Sequence, residues 1–95
     1  EHIQKEDENI FMNNICGSLS EDGSVIIGMP SLESQVYASK PSKIGHVNCK
    51  SGPDLKALME NHFKNVFLFS MNDEVLHTGF HPMSHYLLVL CCAPR

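Results

Sequence analysis

The side chains in this chain best suited to chemistry are its histidines, and three of them, His77, His81 and His85, recur at intervals of four. On a helix that interval would gather three imidazoles on one face, as a metal site requires. Gly79 and Pro82 fall between them and point to an extended segment instead. There, residues four apart are separated by about 13 Å, too far to share one ion. No metal site is expected from this run. The same region holds a polar cluster, Met71-Asn72-Asp73-Glu74 followed by His77-Thr78-Gly79, between two apolar stretches. It reads either as a solvated turn or as the lip of a substrate site formed by Asn72, Asp73 and His77, because loops at strand ends carry function disproportionately. Tyr37, Ser39 and His46 have the same two readings in a second polar segment. No spacing suggests a Ser-His-Asp or Cys-His arrangement, although chain order alone does not reveal such sets.

The elements that must position these groups are organised around Ser24-Val25-Ile26-Ile27-Gly28-Met29-Pro30-Ser31. Three consecutive apolar β-formers bounded by Asp22-Gly23 and by Gly28 and Pro30 predict a short strand buried on both faces. Before it, Glu6-Asp7-Glu8 supplies negative charge suited to a helix start, and Phe11, Ile15 and Leu19 follow at helical spacing, predicting a helix over residues 7–19. After it the periodicity dissolves across residues 31–51. A segment of that length inside a small domain is expected to bear function or to be a poorly ordered crossover. Pro30 and Ser31 open it. Ser51-Gly52-Pro53-Asp54 is a helix start with a capping serine and a proline in the first turn. Leu55, Leu58, Met59, His62 and Phe63 then form an i, i+3, i+4, i+7, i+8 stripe that runs the helix to Asn65. Residues 66–69 and 85–92 predict two further strands, with an irregular stretch between them.

Ninety-five residues allow one domain, residues 1–95, near the lower limit for an adequate core. The formal net charge is −4 with the acidic excess in the first half, and no basic patch is present, which excludes nucleic acid held through its phosphates. No apolar run is long enough to span a bilayer as a helix. Of the four cysteines, Cys91 and Cys92 are adjacent in an apolar strand and point to opposite faces. Reduced thiols in a cytoplasmic protein are expected, rather than a disulfide framework.

The order helix, strand, long loop, helix, strand, loop, strand, with these particular residues, resembles the C-terminal half of a class I S-adenosylmethionine-dependent methyltransferase. Glu1-His2-Ile3 looks like the Glu-His-Ile that follows the fourth strand in many of those enzymes. Ser20-Glu21-Asp22-Gly23 matches their Leu-x-x-Gly-Gly turn, with Asp22 at the first glycine. The run from Val25 to Ser31 matches their fifth strand and its Pro-Ser ending. The resemblance implies that Glu1, His2 and Ile3 lie beside the methyl-bearing end of S-adenosylmethionine, and that His2 could serve as the base that takes the acceptor's proton. It also implies that Pro30, Ser31, Tyr37, His46, Asn72, Asp73 and His77 border a small-molecule acceptor. The chain contains no glycine-rich phosphate-type loop, so the cofactor-binding N-terminal half is absent from it, and the chain reads as a fragment or a truncated derivative of such an enzyme. The abrupt start at Glu1 agrees with that.

The fold expected from this reading is α/β: a partial Rossmann-like methyltransferase sheet of about three strands, in the family's order 5-7-6, the first two parallel and the last antiparallel, with two helices packed on it. Without upstream strands, residues 24–29 would form an exposed apolar edge, and such an edge predicts a homo-oligomer. The functional expectations are therefore two: a methyltransferase portion that needs the missing half, or a non-catalytic interaction and oligomerisation module derived from that fold.

Overall fold

A computed structural model describes residues 1–95. Strands β1 (Ser24–Pro30), β2 (Phe63–Asn72), β3 (Val75–His77) and β4 (Tyr86–Pro94) form one sheet in the order β1-β4-β2-β3. Every hydrogen-bonded pair in it is antiparallel. Three α-helices accompany it: α1 (Glu8–Gly17), α2 (Lys40–Gly45) and α3 (Gly52–Glu60). This corrects the expected partial Rossmann-like sheet with a parallel pair and two helices. β4 lies between β1 and β2, so those two strands run the same way without touching, and no parallel ladder forms.

Alternation along the central strand decides which face is the core. Leu87, Val89 and Cys91 are fully buried, and the register sets Met29, Ile27 and Val25 of β1 beside them on one side. Ser70, Leu68 and Val66 of β2 stand beside them on the other. Met12, Ile15 and Cys16 of α1 and Leu55, Leu58 and Met59 of α3 cover this inner face. The opposite face carries Ile26, Leu90 and Phe67 in one row and Gly28, Leu88 and Phe69 in the next. No helix covers it: Ile26 is 68% exposed and Phe67 51%. β1 is thus not buried on both faces, although its composition is that of such a strand. Gly28 matters here, because a Cβ would meet the Leu88 side chain at 2.6 Å and the Tyr86 ring at 2.9 Å. Its absence lets both side chains fold over β1.

Local chemistry sets the ends of the helices. Ser51 caps α3 by accepting from the Asp54 amide at 3.3 Å, as the sequence predicts. The helix stops at Glu60, however, and Phe63 opens β2 opposite Pro94 instead of closing the helical stripe. Arg95 takes over the helix end: its amide donates to the His62 carbonyl and its Nε to the Glu60 carbonyl. Within residues 31–51, Ser39 caps α2 by accepting from Ser42 N, with Pro41 in the first turn, and a 3-10 turn covers Glu33–Tyr37. β2 and β3 form a two-residue hairpin with Asp73 at φ 53°, a left-handed position that aspartate tolerates better than most residues. No helix is long and apolar enough to cross a membrane.

Because only one face of the sheet is covered, equivalent truncations on the two faces should differ sharply. Leu87→Ala is expected to cost about 2–5 kcal/mol, while Ile26→Ala on the outer face stays within about 0.5 kcal/mol. Urea unfolding of the two variants checks this.

Candidate functional site

The largest cavity, about 560 Å³, opens where β1 ends and β4 begins. Its walls are Pro30 from β1, Glu33, Ser34, Gln35 and Tyr37 from the 3-10 turn, and Ser42 and His46 at α2. Pro82, Met83, Ser84 and His85, which lead into β4, complete it. Most of these residues are polar in type, although they expose mainly apolar surface to the cavity. One carboxylate oxygen of Glu33 is buried there without a hydrogen-bond partner. A buried acceptor left unpaired carries a free-energy penalty.

A buried serine network lies behind Ser84, the one of its members that lines the cavity. Ser31 Oγ donates to the Ser84 carbonyl, Ser84 Oγ donates to Ser70 Oγ, and Ser70 Oγ lies 3.1 Å from His81 Nδ1. Ser31, Ser70 and Ser84 are almost wholly buried, so this network joins β1, β2 and the segment before β4 and presents no open nucleophile. The Ser31 amide also donates to the His85 carbonyl at 3.1 Å, which fixes the cavity mouth to the sheet.

On the far side of α2, the chain start packs against the loop that follows it. Glu1 Oε1 lies 3.4 Å from His2 Nε2 and 4.0 Å from His46 Nε2. The two imidazoles meet edge to face with centroids 4.8 Å apart. His2 Nδ1 is 2.7 Å from the Gly45 carbonyl, and His46 Nδ1 is 2.8 Å from Gln35 Oε1. Residues 48–50 act as the strap that holds this corner. Asn48 N donates to the Glu1 carbonyl, and Lys50 pairs with Ser31 as an isolated bridge. Asn48 Nδ2 and Lys50 Nζ converge on Glu8 Oε2 at 2.6 and 2.8 Å. Burial pushes the Glu8 carboxyl up, but the hydrogen bonds from Lys50 and Asn48 and the charges of Lys50 and Lys5 outweigh it, so its pKa falls below the ordinary 4.5.

Among the residues expected to border a substrate, Pro30, Tyr37 and His46 share the cavity wall, and Ser31 lies beneath it. Asn72, Asp73 and His77 do not line it. They form the β2–β3 hairpin, where Asn72 Nδ2 donates to His77 Nε2 at 3.2 Å and Asn72 Oδ1 accepts from the His85 amide at 2.9 Å. Ile3 faces a small separate cavity of about 70 Å³ with Met12 and Met29. Sequence reasoning did not single out Glu33, Gln35, Ser42 or Ser84, which carry no spacing signal. Nor did it find the meeting of Glu1 and His2 with His46, which only tertiary packing creates. The cysteines are all free. Burial, followed by the neighbouring Cys92 and Cys16 thiols, pushes Cys91 up to about 11, so it is no nucleophile at neutral pH. In comparisons with protein-family models, curated proteins and solved structures, nothing matches this chain.

The strap makes a pH prediction. With its folded pKa below 4.5, the Glu8 carboxylate contributes stability in full at neutral pH and loses it as pH falls through the folded value. Glu8→Gln should cost about 1–3 kcal/mol at pH 7. The gap to the parent chain should close below pH 4.5 in chemical denaturation followed across pH.

Proposed function

We propose that these residues are the acceptor-side portion of an S-adenosylmethionine-dependent methyltransferase of the cytoplasm, acting on a small molecule that carries a hydroxyl or amine. The observation that carries this is the position of His46. It forms part of the cavity wall and at the same time packs on Glu1-His2, the stretch that the resemblance puts beside the cofactor's methyl group. Acceptor side and donor side therefore meet at one residue. Methyl transfer asks mainly for that alignment, together with a base for the acceptor's proton. His2, 63% exposed at its side chain, is the base of this reading. The principal cofactor contacts come from residues outside these 95.

The coding sequence upstream of Glu1 tests this first. A glycine-rich strand-loop-helix in the same frame supports it, and a start codon within a few residues of Glu1 overturns it. In the longer product, transfer of labelled methyl from S-adenosylmethionine should fall about 10²–10⁴-fold on His2→Ala, with the circular dichroism spectrum unchanged.

A second reading, an assembly module, is favoured by the bare outer face. The rows Ile26/Leu90/Phe67 and Gly28/Leu88/Phe69 contain no charge, and β1 at the sheet edge leaves one side of its backbone open. A second copy offers the same uncharged surface and a matching edge, as a two-fold contact requires. Light scattering of the 95-residue chain should then give a dimer that Ile26→Lys converts to monomer. A monodisperse monomer of the parent chain at high concentration overturns this reading.

A further inference from the structure

We propose that Glu1, His2 and His46 form a binding site for a first-row divalent transition-metal ion such as Zn²⁺. One ligand atom from each of the three lies within 4.8 Å of the others. Around a tetrahedral ion with bonds near 2.0–2.1 Å, ligand atoms sit about 3.3 Å apart. Glu1 Oε1 to His2 Nε2 at 3.4 Å already meets that spacing, and Glu1 Oε1 to His46 Nε2 at 4.0 Å is about 0.7 Å wide of it. The widest pair in the set, at up to 4.8 Å, must close by about 1.5 Å as the exposed His2 ring turns in.

The second argument is the direction of the lone pairs. The Gly45 carbonyl can only accept, so His2 Nδ1 carries the proton that bridges the 2.7 Å between them. Gln35 uses its amide nitrogen on Ser34 Oγ at 3.3 Å, which leaves Oε1 to accept from His46 Nδ1. In the neutral rings both Nε2 atoms therefore present lone pairs toward the Glu1 carboxylate. Three electron-rich groups face one point, and a cation at that point satisfies all of them. An Nδ1–H held by a carbonyl oxygen is also how metal-bound imidazoles are oriented in general.

The ligand set selects the ion. Two imidazoles and one carboxylate suit zinc and its neighbours in the first transition row, whereas calcium and magnesium prefer all-oxygen shells. Three protein ligands leave one coordination position open. Glu1 and His46 side chains are only 21% and 15% exposed, so the site is partly shielded from water. The site stands on these contacts and does not depend on the methyltransferase reading; a bound ion takes the His2 Nε2 lone pair that the base of that reading would use.

The test uses the tag-free 95-residue chain with its amino terminus acetylated, so that the terminal amine cannot act as a ligand. Titration with Co²⁺ and Zn²⁺ should show one ion per chain. The Co²⁺ form should have visible d–d absorption without the near-ultraviolet thiolate charge-transfer band that Cys16, Cys49 or Cys92 would produce. Glu1→Gln and His46→Ala should each weaken affinity by 100-fold or more, and Gln35→Ala by about 10–100-fold through loss of ring orientation. Circular dichroism establishes that each variant is folded. No saturable binding at 100-fold excess of metal overturns the site. So does binding that carries the thiolate band, or binding that survives His46→Ala in a folded chain.

Discussion

The structure depends on the placement of β4 in the middle of the sheet. Leu87, Val89 and Cys91 enter the core at every second residue, and the strand is hydrogen-bonded along both edges. β1 and β2 belong to one sheet only because β4 joins them. The site follows from the same fact. The residues just before β4, Ser84 and His85, arrive beside the end of β1, where Ser31 takes hydrogen bonds to both of them. The cavity is therefore fixed to the stiffest part of the molecule. Its other wall, from Glu33 to His46, is held less directly, through the strap of residues 48–50 and the Glu8 carboxylate on α1.

How far this was legible in the sequence depends on whether a local signal or a tertiary contact decided each element. The start of α3 was legible because Ser51-Gly52-Pro53-Asp54 carries its own cap, and the structure makes that hydrogen bond. Ser39-Lys40-Pro41-Ser42 carries the same chemistry and begins α2, yet α2 is short and its only large apolar residue is Ile44, so no stripe announced it. Phe63 fits a helical stripe as well as a strand start. Pairing with Pro94 and capping by Arg95, both more than thirty residues away, decided for the strand. Asp73-Glu74 was legible as a turn, whereas β3 beyond it is three residues long and had no pattern of its own.

The parallel pair failed for a different reason. Three β-formers in a row predict a strand covered on both sides, and strands so covered are usually parallel. The resemblance does put the last strand between the first two, and the sheet has that order; what fails is the parallel pairing, because strands on either side of β4 do not touch. β4, the last strand made, takes the position between the other two and imposes antiparallel pairing on both. The apolar composition of β1 and β2 then goes unused on one side, and Ile26 and Phe67 stand in the open. Exposed apolar area of this kind costs free energy to keep in water. A three-strand-wide face free of charge is thus a property of the sequence that the 95 residues do not themselves explain.

The corner made by Glu1, His2 and His46 shows the same limit at the scale of side chains. His2 reaches the Gly45 carbonyl across 43 positions, a relationship that no spacing rule contains. The evenly spaced run His77, His81 and His85, by contrast, gives no shared site: His77 binds Asn72, His81 binds Ser70, and His85 lines the cavity. Regular spacing brings ligands together only when the backbone has the matching period, and an extended segment broken by Gly79 and Pro82 does not. What assembles the actual cluster is backbone hydrogen bonding at its edges, with Gly45 orienting one ring and Asn48 holding the Glu1 carbonyl. Two imidazoles whose Nδ1 protons are already committed to carbonyl oxygens have only their Nε2 lone pairs left, and both are directed at a carboxylate. A protonated ring can donate its Nε2–H to the carboxylate, and a metal ion at the same point would instead take all three groups as ligands.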